Sequence, residues 1–522
     1  MKNLKRILSI MGHRVTIFGS AIIISLLLVV TFIFGMVEAR AWLHKLALLI
    51  STLVVIYLIN SREKPGYIIA WMIPILCAPL VGGIFYVLFG IKRYSRREIA
   101  KYRDISRKAM GVITPNKQLN EKLKSKNSSA SAQSHYIEKY GRFPAYENTH
   151  VDYFRLGEDM FTQLKADIGK AKHYIFIETF IIEEGKMWGE MLEILKEKVK
   201  EGVDVRLVWD DFGSILLLPK DFTQKLRDAG IKYGIHYPLR PFIDLRLNNR
   251  DHRKITVIDG HTGYVGGINI ADEYINAKVK YGHWKDTAVR LEGEAVWSLS
   301  VMFLTMWDAI KGEKADYDKY RPQVYMENLP SCDGVIQPYC DGVIQPYCDN
   351  PLDGENVGET VYLNLINKAE KYIYITTPYL VIDDGMINAL TTAAKNGVDV
   401  RIITPHIGDK WYVHAVTRAH YNVLVEAGVR VYEYTPGFIH AKSFVVDDEY
   451  AIVGTINMDY RSLYLHYECA VWMHGCSCIE KIKEDFVNTM NISAEVSPDE
   501  MKNIRWWQRL GRAILRCFAP MM

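Results

Sequence analysis

The chain has 522 residues, 49% of them hydrophobic, and a net charge of only +4. That length exceeds one ordinary domain, and the apolar content suffices for a large core together with membrane segments. Residues 92–126 carry twelve Lys or Arg against three acidic residues, so the remainder is slightly acidic, which argues against a nucleic-acid binder with basic charge spread over its working surface.

Residues 15–37 form a charge-free apolar run long enough to cross a bilayer, since about 20 helical residues span the hydrocarbon. The run follows a basic start (Lys2, Lys5, Arg6, Arg14) and exceeds the apolar core of a signal peptide, so it reads as a retained anchor. Residues 46–59 are a shorter apolar stretch, and residues 67–89 a longer one interrupted by Pro74, Pro79 and Gly82-Gly83. Residues 1–91 thus form an anchor of two or three hydrophobic segments. The positive-inside rule puts both the N-terminus and the Lys92, Arg93, Arg96, Arg97 cluster in the cytoplasm, which three full crossings cannot satisfy. The middle segment is therefore read as re-entrant or interfacial, with the bulk of the chain cytoplasmic. Residues 92–136 are a basic juxtamembrane region and linker, close enough to anionic headgroups to be held by them. Within it, residues 125–134 (SKNSSASAQS) have the composition of a flexible linker.

Two stretches in the remainder read alike. AKHYIFIETFII and EGVDVRLVWDDFGS, within residues 171–214, match AEKYIYITTPYL and NGVDVRIITPHIGD, within residues 369–409. Downstream, LRDAGIKY (226–233) matches LVEAGVRV (424–431). Apolar strands alternating with amphipathic helices predict an α/β fold of two repeated lobes, residues 137–328 and 354–490, each with a parallel or mixed sheet covered on both faces. The two lobes are expected to pack face to face. Between them, in residues 329–353, the octapeptide CDGVIQPY at 332–339 is repeated at 340–347, an inter-lobe or edge-strand insertion with no catalytic role. Cys332, Cys340 and Cys348 have neither a histidine nor a close pair to make a zinc site, and the eight cysteines together suggest a reducing compartment. In the basic tail, residues 491–522, Trp506, Trp507, Leu510, Ile514 and Leu515 recur at helical spacing among arginines. They suit either an interfacial amphipathic helix or a helix docked on its own domain.

The chemistry sits near the end of each repeat. RDHRKITVIDGHTGYVGGINI places His252, Lys254 and Asp259 at H-x-K-x4-D, followed by Gly266-Gly267 and Asn269. FIHAKSFVVDDEYAIVGTINM places His440, Lys442 and Asp447 identically, followed by Gly454-Thr455 and Asn457. Residues i and i+2 of a strand share a face, so each His and Lys can meet one phosphate together. The Asp, an odd number of positions past the Lys and beside a turn, is expected to face away or cap that turn. The small residues let a backbone approach closely, and the Asn amide can donate to a phosphate oxygen. Further on, HWKDTAVRLEG (283–293) aligns with LHYECAVWMHG (465–475), superposing Asp286 on Glu468. A carboxylate accepting the far ring N–H of each His would fix its tautomer, although Asp286 could equally be a surface turn acid. One isolated H-x-K is most simply a solvated strand; two, in matching places of two repeated lobes, point to a phosphate site.

With these motifs, and with REKPGYIIAWMIPILCAPLVGG, GGINIADEY, TPYL, NMDYRSLYLHYE and the Trp-rich tail, the sequence resembles the phospholipase D superfamily, and within it the bacterial cardiolipin synthases. The resemblance covers nearly the whole chain. It departs at residues 15–37, an extra apolar segment, at the cysteine-rich duplication, and at His466-Tyr467, where Asn-Phe is common before the Glu. It implies two phospholipase D-like α/β/α lobes and a double displacement that needs no metal or cofactor. One His attacks the phosphorus of phosphatidylglycerol while the other protonates the departing glycerol, then activates the hydroxyl of a second phosphatidylglycerol, giving cardiolipin. By analogy His252 is the nucleophile and His440 the acid/base, with Lys254, Lys442, Asn269 and Asn457 stabilising phosphate charge. The repeat is symmetric enough for the roles to be reversed. The implied partners are phosphatidylglycerol and anionic membrane lipid rather than nucleic acid. The implied location is the cell membrane, multi-pass, with cytoplasmic lobes. A phospholipase D hydrolase, a transferase using another alcohol, a silent membrane scaffold and a superfamily nuclease remain as alternatives.

Overall fold

The computed structural model describes residues 41–61, 63–78, 82, 83, 85, 86, 90, 96–238, 249–313, 315–322, 342–499 and 505–521. In the first lobe β1 (Thr149–Phe154), β2 (Tyr174–Thr179), β3 (Asp204–Asp210), β4 (Lys232–His236), β5 (Ile255–Ile258), β6 (Thr262–Gly266) and, past a short strand β7 (His283–Lys285), β8 (Ala288–Gly293) form one sheet. Its order is β1-β8-β6-β5-β2-β3-β4. The second lobe continues with β9 (Val343–Asp349), β10 (Tyr372–Thr376), short β11 (Leu380–Val381), β12 (Asp399–Pro405), β13 (Arg430–Tyr434), short β14 (Gly437–Ile439), β15 (Ser443–Val446), β16 (Tyr450–Gly454), short β17 (Met458–Asp459), β18 (Glu468–His474) and β19 (Ser493–Glu495). Its sheet runs β19-β13-β12-β10-β15-β16-β18-β9, the first order repeated with one strand added. Both are mixed: β2, β3 and β4 pair in parallel, as do β10, β12 and β13, while β5 and β15 run antiparallel to β2 and β10.

The central strands are buried because their residues are apolar on both faces. Every residue of β2 (YIFIET) is buried, as a strand between two covered faces requires. The helix Lys186–Lys200 covers one side through Met187, Trp188, Met191 and Leu195, an apolar stripe at helical spacing. Helix Val296–Lys311 is buried on nearly every side, since it contacts β2 and β5 of its own lobe and β9 of the other. Its counterpart Cys478–Asn491 contacts β10, β15 and β1. One apolar core therefore runs through both lobes, with Phe176, Val289 and Phe303 from the first and Val445, Val471 and Phe486 from the second. Each such side chain is worth about 1.5–3 kcal/mol of burial, so this shared core contributes directly to holding the lobes together.

Three readings of the sequence change here. Residues 125–134 are no flexible linker: Lys117–Lys126 and Ser128–Tyr136 are helices, joined at Asn127, whose side chain accepts from the Ala130 N–H. Leu119, Leu123, Ala130, Gln133 and Ser134 face the core, so small polar residues here mean close packing rather than freedom. The second copy of the octapeptide supplies β9, an edge strand paired with β18, so the second sheet begins inside the region read as inter-lobe; residues 323–341, with the first copy, lie outside the described residues. The tail's first residues form β19 on β13, the opposite edge.

At the N-terminal end, residues 46–59 belong to helix Ala41–Ile59, and Pro65–Cys77 forms a second helix. Among the described residues no helix is long and apolar enough to cross a membrane, and residues 15–37 lie outside them, as does part of 67–89. Lys64, just before the second helix, binds Glu359 at 2.7 Å and Asp383 at 3.2 Å, fastening this end to the second lobe. The helix Trp506–Cys517 follows the second expectation for the tail, docking on its own domain. It packs along Trp411–Glu426, with Leu515 against Val416 and its neighbours, and leaves Trp506, Trp507, Leu510 and Ile514 exposed.

Candidate active site

Each motif lies where the chain crosses from one lobe to the other. β14 pairs in parallel with β7 of the first lobe, and the His440 N–H donates to Lys285 O at 2.7 Å. In the other half the segment before His252 pairs with the second lobe: Tyr467 N–H donates to Arg250 O at 2.8 Å and His252 N–H to Tyr467 O at 2.9 Å. Immediately afterwards the chain turns into its own sheet, as β5 or β15. His252 and Lys254, like His440 and Lys442, thus occupy the extended crossover just before the strand rather than the strand itself. The i, i+2 relation persists, and each lysine donates to its own histidine's carbonyl, Lys254 Nζ to His252 O at 2.6 Å and Lys442 Nζ to His440 O.

The crossing decides which carboxylate meets which imidazole. His252 Nδ1 lies 2.9 and 3.0 Å from the two oxygens of Glu468, in the other lobe. His440 Nδ1 lies 2.7 Å from Asp286 Oδ2, again in the other lobe. An ionised carboxylate only accepts, so Nδ1 carries the proton in both rings and Nε2 is left for chemistry. Glu468 is held in turn by the Thr455 hydroxyl, and Asp286 by the Thr287 N–H at 2.8 Å. Gly267 stands where the second half has Thr455; a Cβ there would lie 2.0 Å from Asp286 Oδ1, so only glycine admits the shorter carboxylate.

Asp259 and Asp447 sit at the far end of the same strands. Asp259 adopts φ +52° and accepts the N–H groups of Lys172, His173 and Tyr174; Asp447, at φ +53°, accepts those of Glu370, Lys371 and Tyr372. Each closes the turn after the motif strand and pins it to the start of the central strand. Asn269 Oδ1 accepts the Ile181 N–H at 2.9 Å, and its amide donates to the Tyr274 hydroxyl at 2.7 Å, beside His440. Asn457 is buried, and its Oδ1 has no hydrogen-bond partner among the described residues.

The groups feel one another. Burial, then Lys254, Lys442 and His440, hold the His252 imidazole well below its ordinary value. Burial pushes His440 down to about 4, with Lys442 adding to the fall and Asp286 opposing it. Burial lowers Lys254 to about 8 and Lys442 to about 7, although both carboxylates pull the other way. Two neutral imidazoles and two lysine amines therefore lie close to two carboxylates, and an anion bound among them would favour the charged form of each base.

Several residues of the site went unassigned in the sequence. In the first half Arg253 forms ion pairs with Glu178 at 2.6 Å and Asp251 at 3.1 Å, all three buried. Asp210 accepts the Asp251 N–H and the His236 ring N–H, each at 3.0 Å. A glutamate inside the otherwise apolar strand YIFIET was the visible signal. Phe180 and His466 flank His252, at ring distances of 5.1 and 5.7 Å, and Tyr274 and Trp284 flank His440, at 5.5 and 5.7 Å. Among the described residues the ligand atoms of His252, His466 and Glu468 form the one group able to hold a metal ion.

A family model described as "Cardiolipin synthase, PLD-like domain" matches residues 164–289 and 362–490, and one described as "Phospholipase_D-nuclease N-terminal" matches residues 47–90. An uncharacterized protein of Streptococcus mutans is 41% identical over 90% of the chain and 99% of its own length. The major cardiolipin synthase ClsA of Bacillus subtilis is 32% identical over 90% of the chain and 96% of its own length. Among solved structures, a phosphatidylserine synthase of Haemophilus influenzae shares the fold at a TM-score of 0.55 and 15% identity, covering 74% of this chain and 97% of that one.

Proposed function

The chain belongs to the cardiolipin synthase family of phospholipase D-like proteins, and from that premise we propose that it transfers a phosphatidyl group from one phosphatidylglycerol to another, giving cardiolipin and glycerol. The observation that carries this is the exchange of carboxylates between lobes, which presents two Nδ1-anchored histidines and two lysines to one phosphate.

In the first step His252 Nε2 attacks phosphorus, an N–P bond forms, and the P–O bond to glycerol breaks. His440 delivers a proton to the departing oxygen. In the second step His440 takes the proton from the hydroxyl of the second phosphatidylglycerol, whose oxygen attacks phosphorus and frees His252. To deliver its proton His440 must be charged, which its burial opposes in the empty site. The phosphodiester's negative charge, added to that of Asp286, restores it. Lys254 and Lys442 neutralise the non-bridging oxygens, with Asn269 and Asn457 as further donors. Asp259 and Asp447 hold the frame.

Residues 1–91 are read as a multi-pass membrane anchor that keeps the lobes on the cytoplasmic face. Support comes from exposed Leu49, Leu53, Tyr57 and Ile59 at one end and Trp506, Leu510 and Ile514 at the other. A membrane-bound acceptor alcohol favours transfer over hydrolysis, because the lipid replaces water at the second step.

Purified enzyme supplied with phosphatidylglycerol alone should release cardiolipin and glycerol in equal amounts; phosphatidic acid as the main product would overturn the reading. Denaturing the enzyme in alkaline detergent during turnover, where an N–P bond survives, and mapping the labelled phosphoryl group should find it on His252, whereas label on His440 alone would reverse the two roles.

A further inference from the structure

His466 is not accounted for by the reaction. It is nearly buried, with 11% of its side chain exposed; its Nε2 has no hydrogen-bond partner among the described residues, and its Nδ1 has only a long approach to Glu468. Leaving a buried polar group unmatched costs about 1–3 kcal/mol, so such a ring is expected to have a ligand. Its Nδ1 lies 3.6 Å from Glu468 Oε1, the oxygen that is 2.9 Å from His252 Nδ1. The three ligand atoms all fall within 4.8 Å of one another.

We propose that His252, His466 and Glu468 form a binding site for zinc or a similar first-row divalent cation, and that occupancy of this site switches the enzyme off. Two imidazoles and one carboxylate are a recognised zinc set, and tetrahedral bonds of about 2.0–2.1 Å place neighbouring donor atoms roughly 3.3–3.4 Å apart. The separations of 2.9 and 3.6 Å to Glu468 straddle that value and the third pair falls within 4.8 Å, so a metal would draw the two imidazoles together over Glu468 and leave a fourth position for water or a phosphate oxygen. The surrounding charges balance, Lys254 and Lys442 against Glu468 and Asp286, so the grip comes from coordination rather than from a general field.

Inhibition follows from counting protons. A neutral imidazole carries one. When the metal takes Nδ1 of His252, that proton moves to Nε2, and the lone pair that would attack phosphorus is gone. The other half of the site has no such device, because Trp284 stands 5.7 Å from His440 in the place His466 takes beside His252. Loss of activity rests on reading His252 as a working group; binding of the metal does not.

The test uses the full chain, stripped by chelator, with the exposed Cys77 and Cys517 replaced by serine to remove stray thiol ligands. Zinc chloride should bind once per chain by equilibrium dialysis and abolish turnover of phosphatidylglycerol, reversibly with chelator. His466→Asn should weaken both binding and inhibition by roughly 100-fold, each rate being taken relative to that variant's own metal-free rate. X-ray absorption of zinc-loaded protein should report nitrogen and oxygen ligands without sulfur, a measurement that stands even if the substitution unfolds the chain. No zinc binding, equal zinc sensitivity in wild type and His466→Asn, or sulfur ligation would each overturn the proposal. Binding through His466 without loss of turnover would uphold the site and overturn instead the role given to His252.

Discussion

The two halves of the site have the same backbone path and opposite chemistry around it. In the first, the crossover into His252 is held by a buried charged set, Arg253 with Glu178 and Asp251, and Asp210 with His236. In the second, the corresponding positions are Ala441, Thr376, Ile439, Pro405 and Tyr434, none of them charged, and Phe438 beside them packs on Trp284 at a ring distance of 4.8 Å. A sheet-to-sheet crossover can therefore be fixed either by ion pairs or by apolar contact. The ionic version is the more brittle: losing one partner leaves a charge stranded, while an apolar contact degrades by degrees.

The comparison can be broken at four places. The largest effect should come from the histidines themselves: His252→Ala and His440→Ala are each expected to reduce cardiolipin formation by about 10,000-fold. Only His440→Ala should still accumulate labelled enzyme from a phosphatidylglycerol analogue with a good leaving group, and label in neither variant would remove the division of roles. Next, Arg253→Ala should destabilise the fold by about 3–5 kcal/mol in chemical denaturation, and the combined change Arg253→Met, Glu178→Leu and Asp251→Asn, which strands no charge, should recover most of that. A combined variant no better than the single one would show that the charges do more than hold the crossover.

Smaller again, Glu468→Gln and Asp286→Asn should each lower turnover by about 100-fold with little change in lipid binding, because an amide can hold the wrong tautomer. Unchanged turnover in either variant would remove the tautomer-fixing role of that carboxylate. The smallest effect is pH dependence of stability. His440, held down at about 4, keeps fewer protons folded than unfolded between its own value and about 6.5, so stability should rise with pH across that window. Lys442, held at about 7, should add a second rise up to about 10.4. Titrating Lys442→Met in denaturant should show the upper rise diminished and the lower one narrowed at its acid end, because Lys442 no longer helps to hold His440 down.

Much of this was legible in the sequence because repetition reveals equivalence. It gave the six motif residues, the matched α/β lobes and the alignment of Asp286 with Glu468. Equivalence is not contact, however. Nothing in two parallel motifs says that each histidine takes its carboxylate from the other copy, since that follows from strands β7 and β14 pairing across the lobes. The helix at Ser128–Tyr136 was hidden by a serine-rich composition whose meaning depends on Asn127 capping it and on what Ala130 and Gln133 touch. β9 was legible as the edge-strand alternative for the duplicated octapeptide, but two identical copies could not say which one pairs with β18. His466 did stand out, as a departure beside Glu468, but its unpartnered Nε2 is visible only in three dimensions.

The exchange of carboxylates has a consequence for synthesis on the ribosome. When the first lobe has emerged, His252 exists without Glu468, which lies 216 residues further along the chain. Asp286 likewise waits for His440. The nascent chain therefore holds two half-sites that cannot act, and a protein able to cleave the membrane's own phospholipid stays inert until its last sheet is complete. Competence arrives in a single event, the docking of the lobes, and is lost in the same event when either one opens.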